Sequence, residues 1–120
     1  ISYAKSFIGI PYLWGGKSSL GFDCSGFVQT VFKMTGINMP RDASQQILRE
    51  NLYNINYCDA KTGDLLFFME DNYVNHVAIY LGNQEIIHSS GSVKIENLAD
   101  NDKLYKKMYK VMSIKNLFNE

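Results

Sequence analysis

The sequence has little that would support a disulfide framework, a nucleic-acid-binding surface or a membrane span. Its 120 residues include two cysteines, fewer than a disulfide-stapled domain usually needs, so we interpret both as free thiols. Twelve basic residues balance twelve acidic ones, which gives no electrostatic attraction to nucleic acid or to an anionic membrane. No apolar run approaches the ~20 residues of a spanning helix. At 46% hydrophobic residues, the composition is that of a globular chain with one core.

The start of the chain carries no recognisable targeting segment. It begins at Ile1 rather than Met, and no secretory signal is visible. We therefore expect residues 1–120 to be a single domain, excised or processed from a longer protein. The absence of a signal in such a piece says nothing about where the parent protein works, and the sequence carries no indication of the oligomeric state.

Cys24 lies where a loop passes into a predicted helix. Apolar residues recur behind it at helical spacing as far as Met34, and Gly36 fits the left-handed position after the helix. The unpaired N–H groups and the dipole of a helix N-terminus favour a thiolate, so Cys24 is a candidate nucleophile. A buried structural cysteine is the alternative, and it is the commoner role for an isolated cysteine. Cys58, ahead of a turn, we interpret as a small apolar filler.

The order of hydrophobic periods predicts helices first and antiparallel strands after them. We expect helices at 2–7, 24–34, 44–50 and 102–108, strands at 65–69, 76–81, 85–88, 93–98 and 109–114, and an irregular segment at 51–59. The strand at 65–69 is apolar throughout, which predicts burial on both faces, and the last strand is expected to close the sheet. The fold class is therefore α+β, with helices on one side of an antiparallel sheet.

The chain has two histidines, His76 and His88, and both lie on a predicted hairpin around Gly82. A loop of three residues would place them on one face of the sheet, and a two-residue turn would place them on opposite faces. A catalytic thiolate needs an imidazole within reach, and the imidazole benefits from a third polar group. We therefore predict that the loop is not a two-residue turn. Two alternatives stay open: one surface and one core histidine, or a zinc site with Cys24, although the short spacings typical of zinc ligands are absent.

Six segments, in order, resemble the NlpC/P60 family of cell-wall cysteine peptidases, which are papain-like in fold. They are residues 11–16, 23–28, 40–46, 63–68, 76–82 and 87–91. The resemblance is strongest to the branch that cleaves γ-D-glutamyl-diamino acid bonds in cell-wall peptides. It implies that Cys24 is the nucleophile, that His76 is the general base and later the general acid, and that His88 orients His76.

The resemblance also implies a set of substrate contacts. Tyr12 would lie over the thiol and help the oxyanion region, while Asp23 and Ser25 would hold the amino end of a substrate that requires a free N-terminal L-Ala. Arg41 and Ser44 match as further candidate substrate contacts. For Asp23 the alternative is a helix cap, since Asp is a favoured residue there.

The activity that follows from the resemblance is hydrolysis of γ-D-glutamyl-diamino acid bonds in peptidoglycan stem peptides, with muropeptides as partners and no metal or organic cofactor. The expected place is the cell envelope or the medium, or a cytoplasmic recycling role. Two other classes stay open: a related papain-like cysteine amidase or acyltransferase, and a catalytically silent wall-binding module. Product analysis on muropeptides separates the first from a peptidase, and an intact set of Cys24, His76 and His88 argues against the second.

Overall fold

A computed structural model describes residues 2–10, 17–18, 21–50 and 52–114 and shows helices packed on an antiparallel sheet. The helices are α1 (Ser2–Ser6), α2 (Cys24–Met34), α3 (Ala43–Gln46) and α4 (Asp102–Lys106), with 3₁₀ turns at Tyr57–Asp59 and Leu98–Asp100. The strands are β1 (Lys17–Ser18), β2 (Gly21–Phe22), β3 (Leu52–Ile55), β4 (Leu65–Glu70), β5 (Tyr73–Gly82), β6 (Glu85–Ser90), β7 (Ser92–Asn97) and β8 (Met108–Ile114). β1 and β2 pair with each other, and the other six form one sheet in the order β3-β8-β4-β5-β6-β7. The predicted α+β class is confirmed.

Helix α2 has the predicted bounds and covers one face of the six-stranded sheet. Its buried side chains Phe27, Val28 and Val31 recur at helical spacing and pack in one cluster with Val77 of the sheet. Gly36 follows the helix at φ +88°, the left-handed conformation that glycine adopts without a Cβ clash. The cluster also includes Ala4 and Ala43, so α1, α2 and α3 lie on the same face, as expected.

Strand β4 is central and buried on both faces, as its unbroken apolar run predicts. Leu65 and Phe67 belong to the cluster under α2, whereas Leu66 and Phe68 belong to a second cluster on the other face. That second face is covered by the 3₁₀ turns and by Leu104 of α4. The expectation of helices on one side is therefore wrong for α4, which closes the face that the first three helices leave open.

Several element ends differ from the sequence-based expectations by a few residues, and three differences are larger. Residues 52–55, expected to be irregular, form the edge strand β3, which pairs with β8. Strand β8 does not close the sheet but lies between β3 and β4. Helix α3 ends at Gln46 rather than Glu50. β3 escapes the pattern because its central residues are exposed, so hydrogen bonds to a distant strand define it rather than apolar alternation.

The hairpin between β5 and β6 differs from the prediction in the length of its turn but still places the two histidines as predicted. Asn83 and Gln84 both have positive φ, 52° and 65°, and form a two-residue turn, so the predicted longer loop is wrong. The register shifts between Tyr80 and Gly82, which leaves one extra residue on β5 as a β-bulge. The bulge restores the register that a two-residue turn alone would lose. His76 and His88 therefore share one face of the sheet.

Candidate active site

The N-terminus of α2 places Cys24 against β5. Asp23 caps the helix, because its Oδ1 accepts a hydrogen bond from the Gly26 N–H at 2.6 Å. Cys24 is the first helical residue and is 7% exposed. Its Sγ lies 3.6 Å from the carbonyl oxygen of Asn75, one residue before His76 on β5. The prediction of Cys24 at a helix N-terminus is confirmed.

Burial raises the pKa of the Cys24 thiol above its ordinary value, and the nearby Asp23 carboxylate adds to the rise. Hydrogen bonds from backbone N–H groups, chiefly that of Val77, oppose these effects without cancelling them. The resting group is thus a thiol at neutral pH. The helix terminus favours a thiolate, but burial has the larger effect and the net shift in the pKa of the thiol is upward.

The thiol and the imidazole of His76 approach β5 from its two faces. The His76 ring lies 5.5 Å from the Phe68 ring, on the face away from α2, whereas Cys24 packs with Val77 on the face that α2 covers. Within the described part of the chain, the Cys24 thiol hydrogen-bonds to the Asn75 carbonyl rather than to the imidazole. The two groups are neighbours along one strand, and a direct thiol–imidazole contact stays a prediction.

Three side chains form a hydrogen-bonded chain that starts at His76. His76 Nε2 lies 2.7 Å from His88 Nδ1, and His88 Nε2 lies 2.7 Å from Glu96 Oε1 on β7. His88 is 1% exposed. Burial, and to a smaller extent the neighbouring His88, lower the pKa of His76 to about 3, against the raising effect of the Glu96 charge. Burial also lowers the pKa of His88, against the raising effect of its hydrogen bond to Glu96. Both rings are therefore neutral at pH 7.

Arg41 joins Asp23 and Ser25 into an ionic cluster beside the cysteine. Its Nη1 and Nη2 donate to Asp23 Oδ1 and Oδ2 at 3.1 and 2.8 Å, and Nη1 also donates to Ser25 Oγ at 3.0 Å. The Asp23 carboxylate raises the pKa of Arg41 further. Asp23 is 8% exposed, so this bidentate pair is largely desolvated on the acid's side. Asp23 is thus a helix cap and an ion-pair partner at once.

Two predicted substrate contacts remain, Ser44 and Tyr12. Ser44 Oγ lies 3.3 Å from the hydroxyl of Tyr73, at the start of β5. Tyr12 lies outside the described residues, so its position over the thiol stays a prediction. Cys58 is exposed, which contradicts its interpretation as a buried filler.

Sequence reasoning missed two polar residues of the site. Gln46 is fully buried and donates to the carbonyls of Ser25 and Pro40 at 3.0 and 2.8 Å, which ties the segment before α3 to the first turn of α2. Its position inside the 40–46 segment was the available signal. Glu96 completes the histidine chain, and its signal was the alternation of 93–98, which places alternate residues of β7 on the face that carries His88.

A cleft of about 260 Å³ opens beside the histidine chain. Its lining includes Asn75, His76, Ser90, Glu96 and Lys107. No three acidic, histidine or cysteine side chains cluster as metal ligands among the described residues. The zinc alternative therefore has no ligand set in that part of the chain. No helix there is long and apolar enough to cross a membrane.

These features define an α+β protein with a cysteine at a helix N-terminus beside a histidine-bearing antiparallel sheet. The chain belongs to the NlpC/P60 family, whose model it matches over residues 9–114. It is 39% identical, over 118 residues, to a gamma-D-glutamyl-L-lysine dipeptidyl-peptidase of Bacillus subtilis (strain 168), a match that covers 95% of this chain and 38% of that protein. The predicted family is confirmed.

Two solved structures show the same fold. An NlpC/P60 family protein from Bacillus cereus ATCC 10987 has a TM-score of 0.84 at 35% identity, covering 92% of this chain and 37% of that one. The NlpC/p60 domain of the peptidoglycan hydrolase SagA has a TM-score of 0.79 at 34% identity, covering 94% of each chain. The papain-like NlpC/P60 fold expected from the sequence is confirmed.

Proposed function

We propose that residues 1–120 form one catalytic domain, a cysteine peptidase that hydrolyses the amide bond between γ-D-glutamate and a diamino acid in peptidoglycan-derived peptides. The observation that carries the proposal is Cys24 at the start of α2, against the strand that bears the hydrogen-bonded pair His76–His88. The similarity to a gamma-D-glutamyl-L-lysine dipeptidyl-peptidase supports this substrate class. The proposed place of action is the cell envelope or the medium, with a cytoplasmic recycling role as the alternative.

Catalysis begins from a neutral pair, because burial raises the pKa of Cys24 and lowers that of His76. In the proposed first step, the Sγ–H bond breaks, the proton passes to the His76 imidazole, and sulfur attacks the γ-carbonyl carbon. This step requires Sγ to leave the Asn75 carbonyl and the thiol and imidazole, which approach β5 from its two faces, to come within hydrogen-bond distance of each other. Collapse of the tetrahedral intermediate breaks the C–N bond, and the imidazolium of His76 gives its proton to the leaving amine.

The second half of the reaction releases the acyl group. His76 takes a proton from water, the resulting hydroxide adds to the thioester carbonyl, and the C–S bond breaks. The products are the γ-carboxylate of the glutamyl peptide and the Cys24 thiol, which regains the proton from His76. Throughout, His88 holds His76 through the 2.7 Å hydrogen bond between the two rings. No metal or organic cofactor enters these steps.

For the substrate's amino end, we propose recognition of a free N-terminal L-Ala by Asp23, with Ser25 and Tyr12. Asp23 directly precedes the nucleophile, so its carboxylate can reach a group one short dipeptide from the bond to be cleaved. Arg41 already pairs with this carboxylate, so a substrate ammonium would join an existing ion pair. Arg41 and Ser44 are proposed as neighbouring substrate contacts.

The test is digestion of defined muropeptides with free and with acetylated amino ends, read by mass spectrometry. Cleavage between γ-D-glutamate and the diamino acid, absent in Cys24→Ala, is the expected result. Release of intact stem peptides from sugar would identify an amidase instead, and binding without any product would identify a silent wall-binding module. Equal cleavage of the free and acetylated peptides would contradict the amino-end proposal and leave a general stem-peptide endopeptidase.

A further inference from the structure

The hydrogen-bonded chain beyond the two histidines ends in a carboxylate to which neither the reaction nor the substrate assigns a task. We propose that Glu96 is a positioning residue that fixes the tautomers of both imidazoles, so that Nδ1 of His76 is the atom that accepts the thiol proton. The catalytic consequence rests on the proposed peptidase function. The tautomers themselves are a property of the resting protein and can be measured without substrate.

The carboxylate of Glu96, when ionised, can only accept hydrogen bonds. Burial raises the pKa of Glu96, but hydrogen bonds from His88 and Asn101 and the charge of Lys94 outweigh it, and the net shift is downward. The carboxylate is therefore ionised at pH 7. Since His88 Nε2 lies 2.7 Å from Glu96 Oε1, that ring nitrogen must carry the proton. The opposite tautomer would set two acceptors against each other at this distance.

The state of His88 then decides the state of His76. A neutral imidazole has one N–H and one lone pair, so a proton on His88 Nε2 leaves the lone pair on Nδ1. His88 Nδ1 lies 2.7 Å from His76 Nε2, which must therefore be the donor of that bond. The ring of His76 is also neutral, so its own lone pair lies on Nδ1. Through these two hydrogen bonds, the Glu96 carboxylate determines which ring nitrogen of His76, the proposed base, carries the proton.

Glu96 is itself held by three neighbouring segments. It lies opposite Ile86 in the pairing of β6 with β7. Its second oxygen, Oε2, accepts a hydrogen bond of 3.1 Å from Asn101 Nδ2, and Lys94 Nζ lies 3.8 Å from Oε1. Asn101 in turn caps α4 by accepting from the Leu104 N–H. These contacts fix a carboxylate that is otherwise partly open to the cleft, so the acceptor stays in place for His88.

The first measurement is the tautomer of each imidazole, by ¹⁵N NMR of histidine-labelled protein at pH 7. The chain has two histidines, so the spectrum contains four ring nitrogens, and His88→Gln assigns them. We expect both rings to be protonated at Nε2 and unprotonated at Nδ1. A proton on Nδ1 of either ring in the resting protein overturns the proposal, whatever the substrate proves to be.

The second measurement removes the acceptor. In Glu96→Ala we expect His88 to populate both tautomers and kcat to fall about 10- to 100-fold with KM nearly unchanged, because Glu96 acts through His88 and does not touch Cys24. Glu96→Gln keeps an acceptor oxygen and should retain the Nε2–H tautomer and recover much of kcat. Glu85→Ala, at an exposed glutamate at the far end of β6, is the matched control and should change neither readout.

The outcomes separate cleanly. An unchanged histidine spectrum in a folded Glu96→Ala variant overturns the proposal. If Glu96→Ala does not fold, the wild-type spectrum and Glu96→Gln decide alone. If the domain cleaves no muropeptide, the peptidase proposal fails while the tautomer assignment stands or falls on its spectrum.

Discussion

Two groups of polar side chains flank Cys24, and they are held by opposite means. On one side, Asp23 and Arg41 form a bidentate ion pair beside the first turn of α2. On the other side, His76 and His88 are neutral rings. The negative charge of this group lies on Glu96, the last member of the hydrogen-bonded series. The first group can recognise a charged substrate group, and the second can accept a proton and give it back. The difference indicates a division between binding and chemistry.

The largest expected effect comes from removing the thiol or the imidazole. Cys24→Ala and His76→Ala should each abolish turnover, since one removes the nucleophile and the other the base. Both variants should stay folded. Removing one sulfur from Cys24 leaves only a small cavity, and His76 lines the open cleft, so its truncation leaves no enclosed cavity. Turnover and thermal unfolding check this, and activity above trace in either folded variant would contradict the assigned roles.

The binding side should respond next, and only for substrates with a free amine. Asp23→Asn keeps a capping residue but removes the charge, and we expect a loss of about 2–5 kcal/mol in kcat/KM on the free peptide. The acetylated peptide should be cleaved equally slowly by both proteins. Because Asn also weakens the pair with Arg41, thermal unfolding must be measured alongside, and the acetylated peptide is the control for losses unrelated to the amine. Equal losses on both peptides would refute a role in amine recognition.

His88→Ala should separate stability from chemistry. We expect turnover to fall less than in His76→Ala, because the base remains. We expect the free energy of unfolding to fall by about 2–4 kcal/mol, because the variant creates a cavity and leaves His76 and Glu96 without their shared partner. Urea unfolding and single-turnover rates measure the two effects. His88→Gln, which can still donate and accept, should restore part of both; a His88→Ala protein as stable as wild type would contradict the buried arrangement.

The most gradual effect is a pH dependence of stability. Burial lowers the pKa of His76 to about 3, and that of His88 is lowered too, so the unfolded chain binds protons that the folded chain does not. Stability should therefore be complete above about pH 6.5 and should decrease as the pH falls toward 3, by up to about 1.4 kcal/mol per pH unit for each proton. Urea unfolding at pH 7, 6 and 5 measures the slope. His76→Ala should reduce it, and a flat profile in the wild type would contradict the neutral pair.

The features that local sequence determines were predictable. The helical spacing of apolar residues predicted both ends of α2, and the apolar run of β4 predicted its burial on both faces. Features that depend on distant partners were not. β3 exists because β8 pairs with it, and Glu96 joins the site only through the register of β7 with β6. The direction of the pKa shift at the thiol could not be predicted for the same reason. The helix terminus is a local feature, whereas the burial that outweighs it depends on distant residues.

The bulge on β5 restricts how this hairpin can change in length. A two-residue turn with one bulge and an odd-numbered loop with a regular ladder both keep His76 and His88 on one face. Deleting or inserting one residue between the two histidines shifts the pairing register of β5 with β6 by one. One ring then points to the opposite face of the sheet. Insertions and deletions that preserve the site must therefore come in even numbers, or be accompanied by the loss or gain of a bulge. The positive φ angles restrict which residues the hairpin tip accepts, and its length is subject to a counting rule.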